Sequence, residues 1–152
     1  MITLENVWDL DGTIFHSVFE LDYFGYVERF GGEMAMTKFN KMNKIVKPSD
    51  VKIILTARPN SLRNIAQMEL KNHGFDLSKI DLFMGSPDIG KRFEDFIEFK
   101  IRMLNGLKCE YYIDDDAFIR NKLQPSLIYT ECISTDQFYG RGSEYPLKQL
   151  IK

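Results

Sequence analysis

The sequence is poor in residues that build covalent or metal cross-links. Among 152 residues there are two cysteines, Cys109 and Cys132, and two histidines, His16 and His73. Two cysteines do not make a disulfide framework, so reduced thiols are expected. Neither histidine has a Cys or His neighbour at metal-ligand spacing, which excludes zinc-type sites. No apolar run approaches the roughly 20 residues that span a bilayer. Met1 to Asn6 carry neither a basic nor an apolar signal segment, so a cytoplasmic protein without membrane association is expected. Basic excess is missing too: 20 Lys and Arg against 22 Asp and Glu give a net charge of −2. Backbone binding to a polynucleotide normally demands a basic track, which this balance does not offer. Repeats, low-complexity stretches and Pro/Gly/Ser-rich linkers are also lacking, and the expectation is one domain over 1–152.

What is present is apolar: 44% of the residues, with 13% aromatic. That composition excludes wholesale disorder. Short β-branched or aromatic runs alternate with longer helical ones, the pattern of an α/β protein with a mostly parallel sheet. Strands are expected at Asn6–Leu10, at Val51–Leu55 ending at Thr56, at Asp81–Met84, at Tyr111–Ile113 and at Leu127–Ile133. A helical segment opens near Pro59 and ends at Gly74, and another runs from Phe93 to Leu104. From Asp136 onward, loop and one short helix are expected. In residues 14–50, Phe15, Phe19, Tyr23, Tyr26 and Phe30 recur at helical spacing and predict an amphipathic helix over the sheet, in preference to a stacking platform. Lys38, Lys41, Lys44 and Lys47 spiral around such a helix, as a solvated face or a basic rim.

Four clusters carry chemistry. In Asp9-Leu10-Asp11-Gly12-Thr13, two carboxylates end an apolar strand at a glycine turn, at the carboxyl edge where open α/β sheets bind ligands. In an extended chain Asp9 and Asp11 project the same way, which is tolerable only with a cation or a shared proton. Asp-Gly is a common turn pair, but turn formation does not account for Asp9. Second, Thr56-Ala57-Arg58 follows a buried strand. Thr56 suits an anion site or a helix cap, and Arg58 suits a phosphate or a surface ion pair. Third, Lys100 lies on the face of its helix marked by Phe93, Phe96, Ile97 and Leu104. A buried ammonium needs a negative partner unless it snorkels to water. Lys91 is the rival lysine. Fourth, Asp114-Asp115-Asp116 follows a strand directly, as a helix cap or as oxygen ligands for a hard cation such as Mg²⁺.

In this order, the motifs over positions 7 to about 120 resemble those of the haloacid dehalogenase-like (HAD) phosphatases. The resemblance implies a doubly wound, Rossmann-like core with a short helical insertion after the first strand, residues 14–50 forming a minimal cap. It implies Asp9 as nucleophile and Asp11 as general acid/base, with Thr56 and Lys100 on the transferring phosphoryl group. Gly12, Thr13, Ala57 and Arg58 would bind substrate. Mg²⁺ would be held by Asp9, the Asp11 carbonyl and Asp114, with Asp115 as a ligand or orienting a bound water. The implied reaction is phosphoric monoester hydrolysis through an aspartyl-phosphate. Nucleotides or nucleic-acid ends stand ahead of other phosphorylated small molecules, and the chain would act as monomer or homodimer. Two alternatives are a phosphoacceptor receiver and an inactive HAD-like binding module. Receivers place their lysine near the end, whereas Lys100 precedes Asp114.

Overall fold

The computed structural model describes residues 5–17, 40–85 and 92–140. In chain order its strands are β1 (Val7–Asp9), β2 (Phe15–Ser17), β3 (Asn40–Met42), β4 (Ile53–Pro59), β5 (Asp81–Gly85), β6 (Tyr111–Ile113) and β7 (Glu131–Ile133). The helices are α1 (Arg63–Asn72), α2 (Phe93–Leu107), α3 (Ala117–Leu123) and α4 (Thr135–Phe138). Five strands form a parallel sheet in the order β5-β4-β1-β6-β7. Numbered among themselves, these strands run 3-2-1-4-5, the Rossmann-type order. Receivers use 2-1-3-4-5, so the topology sets the receiver alternative aside.

Alternation along the strands explains why both sheet faces are covered. Val7, Ile53, Leu55 and Tyr112 point to one face, where α2 and α3 bring Phe99, Leu104 and Leu123. Trp8, Ile54 and Ile113 point to the other, where they meet Leu70 of α1. There Phe138 of α4 packs edge-on against Trp8 at 4.9 Å between ring centroids. Strands apolar on both faces are what a doubly wound sheet requires. Helix ends follow local chemistry. The Asp95 carboxylate accepts the Arg92 N–H at the start of α2, and Lys108 ends that helix in the left-handed region at φ 54°.

Several local expectations are corrected. Phe15 does not begin a helix: β2 pairs antiparallel with β3, Phe15 opposite Met42, and the Phe15 ring is buried in the core beside Trp8. Pairing with a strand some 25 residues away overrode the helical spacing. Phe19, Tyr23, Tyr26, Phe30 and Lys38 lie outside the described residues, while Lys41, Lys44 and Lys47 are exposed. Strand β4 continues past Thr56 to Pro59, through a register shift against β5. Strand β7 begins only at Glu131, and α2 runs on to Leu107. Cys109 and Cys132 are both unbridged. Among the described residues no helix is long and apolar enough to cross a membrane.

Candidate functional site

Strand register assembles the site. Pairing of Trp8 with Ile113 sets Asp114 level with Asp9, and pairing of Asp9 with Leu55 sets Thr56 one step beyond. This is the carboxyl edge at the point where the sheet changes winding direction, between β1 and β6. Period-two alternation then aims Asp9 with Val7, and Asp114 with Tyr112, toward the face that α2 covers. Lys100 of α2 descends onto that face between Phe99 and Leu104.

The floor of the site is a short buried network. Lys100 Nζ donates to Asp9 Oδ1 at 2.9 Å and to the Tyr112 hydroxyl at 2.7 Å. Tyr112 in turn donates to Asp114 Oδ2 at 3.1 Å, and Nζ lies 3.7 Å from that oxygen. The Thr13 hydroxyl donates to Asp9 Oδ2 at 3.1 Å, so both Asp9 oxygens are oriented. Burial, and then the Asp114 carboxylate, push the Asp9 carboxyl up to about 7 against the pull of Lys100. Burial also raises Asp114, and it opposes the charge on Lys100. There Asp9 and Asp114 prevail and hold the ammonium above the usual lysine range. Tyr112 is raised well above an ordinary phenol by burial and then by these carboxylates, so it is a neutral donor.

Arg58 organises the second side of the cleft. Its Nε and Nη2 grip the Asp11 carboxylate at 2.9 and 2.6 Å, while Nη1 donates to Glu69 Oε1 at 2.7 Å. Arg58 is 2% exposed. Burial works against its charge, and Asp11 and Glu69 more than offset that, leaving its pKa raised. Of the two sequence readings of Arg58, the structure shows an ion pair, but one buried in the cleft wall and not at the surface. Thr56 is buried and its hydroxyl accepts the Arg58 backbone N–H at 3.2 Å; Ala57 lines the cleft beside it. Gly12 turns the chain out of β1 at φ +86°, a conformation that a side chain would strain.

The three adjacent aspartates divide their work. Asp114 is the buried one on the floor, its Oδ1 accepting the Asp116 N–H at 2.9 Å. The Asp116 carboxylate caps α3 through the N–H groups of Phe118 and Ile119. Asp115 turns toward α4. Its Oδ1 accepts from the Thr135 N–H at 2.7 Å and hydroxyl at 2.8 Å, and its Oδ2 from Asn43 Nδ2 at 3.3 Å. The Thr13 hydroxyl accepts the Asp115 N–H at 3.0 Å, so Thr13 ties β1 to β6 and faces Asp9 more than the open cleft. Lys91 lies outside the described residues.

Sequence reasoning missed Tyr112 and Glu69. Tyr112 lies two residues before Asp114 and therefore on its face of the strand, a usable signal. Glu69, buried on α1 between Ala66 and Leu70, showed as a carboxylate on an apolar helix face.

Among the described residues, no three His, Cys, Asp or Glu side chains converge as a finished metal cage. Mg²⁺ does not need one: it is bound by one or two carboxylates and keeps its remaining positions for water and phosphate oxygens. Asp9 and Asp114 supply two buried carboxylates against one ammonium, a surplus of negative charge that a hard cation fits. Above this floor the cleft opens on a wall made by Phe93, Phe96 and Ile97 of α2 and Ile119 of α3. Phe93 is 39% exposed, so this first-turn residue belongs to the cleft mouth and not to the core that helical spacing gave it.

No family model and no curated protein matches the chain. Among solved structures, a chain from the structure of the Pnkp1/Rnl/Hen1 complex is similar, with TM-score 0.60 and 20% sequence identity. The match covers 87% of this chain and 45% of that one. It supports the α/β fold described above.

Proposed function

We propose that the chain is a Mg²⁺-dependent phosphoric monoester hydrolase of HAD-like type, acting on a nucleotide or a nucleic-acid terminal phosphate. The observation that carries this reading is the buried Asp9 carboxylate, held by Lys100 on one oxygen and by the Thr13 hydroxyl on the other. A carboxylate fixed at the floor of a cleft is placed to attack phosphorus, forming an Asp9–phosphate bond as the ester P–O bond breaks. Lys100, touching Asp9, offsets the repulsion between nucleophile and phosphate. Arg58 forms a planar fork suited to two phosphoryl oxygens. A phosphoryl group arriving there would draw the guanidinium from Asp11, whose released carboxylate would take a proton from solvent or from the incoming phosphate monoanion and pass it to the departing oxygen. In the second step Asp11 takes a proton from the water that releases inorganic phosphate. Asp9, Asp114 and the Asp11 carbonyl would hold Mg²⁺, which when bound neutralises charge on the transferring group. Asp115, bound to Thr135 and Asn43, positions the β6 edge beneath it. The fold likeness to a chain of the Pnkp1/Rnl/Hen1 complex accords with this reading, while the chemistry rests on the site.

The test is a panel of aryl phosphate, nucleoside monophosphates and 3′-phosphorylated oligonucleotides, with Mg²⁺ present or chelated. Turnover that needs Mg²⁺ and disappears in Asp9→Asn is expected. Turnover that survives chelation or this substitution overturns the mechanism. A wild-type protein inert on every member favours the binding-module alternative.

A further inference from the structure

The cleft is two-sided. Its floor is polar, while the wall formed by Phe93, Phe96, Ile97 and Ile119 is apolar and reaches the surface. Phe93, which lines the cleft, packs against Phe118 of α3, which lies beside the lining residue Ile119 and outside the lining itself, with ring centroids 5.6 Å apart, tilted by 44°. Phe118 is 59% exposed, and together with the 39% exposed Phe93 it forms a small aromatic patch beside the cleft. Lys122 holds its ammonium 5.4 Å from the centroid of that ring. Exposed aromatics beside a cation are what single nucleotides and single strands stack upon.

We propose that Phe93 and Phe118 form a nucleobase platform at the mouth of the cleft, fixing the substrate as a nucleoside phosphate or a nucleic-acid end. The proposal rests on the phosphatase reading of the floor and adds the chemistry of the group the phosphate leaves. A ligand filling this cleft must carry an anion at one end and a flat apolar body at the other. A nucleobase supplies that body and keeps its polar edges in water at the open mouth. A hydroxyl-rich sugar phosphate would instead press its hydroxyls against phenyl and isoleucine side chains and lose their hydrogen bonds. The tilt of the rings leaves no parallel slot, so the base lies on one ring with its edge toward the other. Lys122 adds positive charge where the chain charge is otherwise slightly acidic.

The experiment compares kcat/KM for adenosine 3′-phosphate and adenosine 5′-phosphate with kcat/KM for glycerol phosphate. It uses the whole chain and the variants Phe118→Ala, Phe93→Ala and Phe118→Tyr. Loss of an aromatic contact should lower the adenosine-to-glycerol selectivity in both alanine variants, by about ten-fold at the ring the base stacks on and less at the ring it meets edge-on, with selectivity restored in Phe118→Tyr. The arm that falls identifies which nucleotide phosphate the site accepts. Unchanged selectivity, with glycerol phosphate still turned over, overturns the platform and leaves the phosphatase reading standing. If no substrate is turned over, the phosphatase reading fails and calorimetric titration with the same adenosine phosphates decides. Binding weakened by Phe118→Ala supports the platform, and no binding, or binding indifferent to it, overturns it. Sedimentation supplies the last outcome: a dimer that Phe118→Ala converts to monomer shows that a second copy covers the rings, which also overturns the platform.

Discussion

Lys100 and Tyr112 are joined more closely than Lys100 and Asp9: the ammonium lies 2.7 Å from the phenol oxygen and 2.9 Å from the carboxylate. The phenol passes this contact on to Asp114, so one hydroxyl spaces the two floor carboxylates around a single cation. Tyr112→Phe keeps the ring and removes the spacer. Losing a buried donor and acceptor should lower stability by about 1–3 kcal/mol and leave Lys100 free to shift toward Asp114. Phosphatase turnover should fall roughly ten-fold, the effect of about 1.4 kcal/mol in the barrier. Denaturant unfolding and steady-state kinetics on the same preparation check both. Unchanged values in both would show that the hydroxyl is a bystander.

Lys100→Met tests the ammonium itself. The substitution preserves the packed stem but leaves Asp9 and Asp114 facing each other without a cation. Removing one partner of a buried pair typically costs about 3–5 kcal/mol. Loss of turnover and a large fall in metal-free stability near pH 8 are expected, with part of the stability regained near pH 5, where Asp9 takes up a proton. Lys91→Met should retain turnover. Should Lys91→Met alone abolish activity, the catalytic role proposed for Lys100 is wrong.

The sequence made the floor legible because each of its parts ends a recognisable apolar strand or sits on a periodic helix. Asp9 and Thr56 lie in, and Asp114 lies directly after, strands that short apolar runs identify, and Lys100 follows from helix spacing. What stayed hidden depends on distant partners. The Asp115 carboxylate is diverted by Thr135, twenty residues on, and Arg58 is buried by Glu69 from a helix it precedes. The same holds for Phe15, whose strand partner Met42 lies beyond any local window. Tyr112 is a different case: it reads as one more aromatic strand residue until Lys100 arrives beneath it.

In the proposed site a metal ion and a proton would compete for Asp9, which would set a pH signature. Its folded-state value is raised from 3.8 to about 7, so the metal-free fold binds a proton that the unfolded chain has released in that window. The Asp9 contribution to stability is therefore fully present below about pH 4 and is lost as pH rises through about 7. Mg²⁺ bound there would reverse the trend by taking the place of the proton, and its stabilisation should be larger at pH 8 than at pH 5. At a hundred-fold excess over its dissociation constant the gain is about 2.7 kcal/mol. For a chain of this size that is a rise in Tm of about 5–10 °C. Thermal melts with and without Mg²⁺ at both pH values measure it. An equal or greater shift at pH 5 would place the ion away from Asp9.

Glu69 tests whether Arg58 is held in place or merely present. The guanidinium spans two carboxylates, gripping Asp11 with Nε and Nη2 and anchoring on α1 through Nη1. Glu69→Ala removes the anchor and leaves the buried charge tied to Asp11 alone. Stability should fall by about 3 kcal/mol, and KM should rise more than kcat falls, because a loosened fork binds phosphoryl oxygens less well while Asp9 and Lys100 are untouched. Glu69→Gln keeps an acceptor for Nη1 and should restore most of KM. Arg58→Lys retains charge without the fork and should lose both, by about a hundred-fold in kcat/KM. A purely structural role for Glu69 would instead lower the folded fraction and leave KM of the folded protein unmoved, and that outcome would confine Arg58 to holding Asp11.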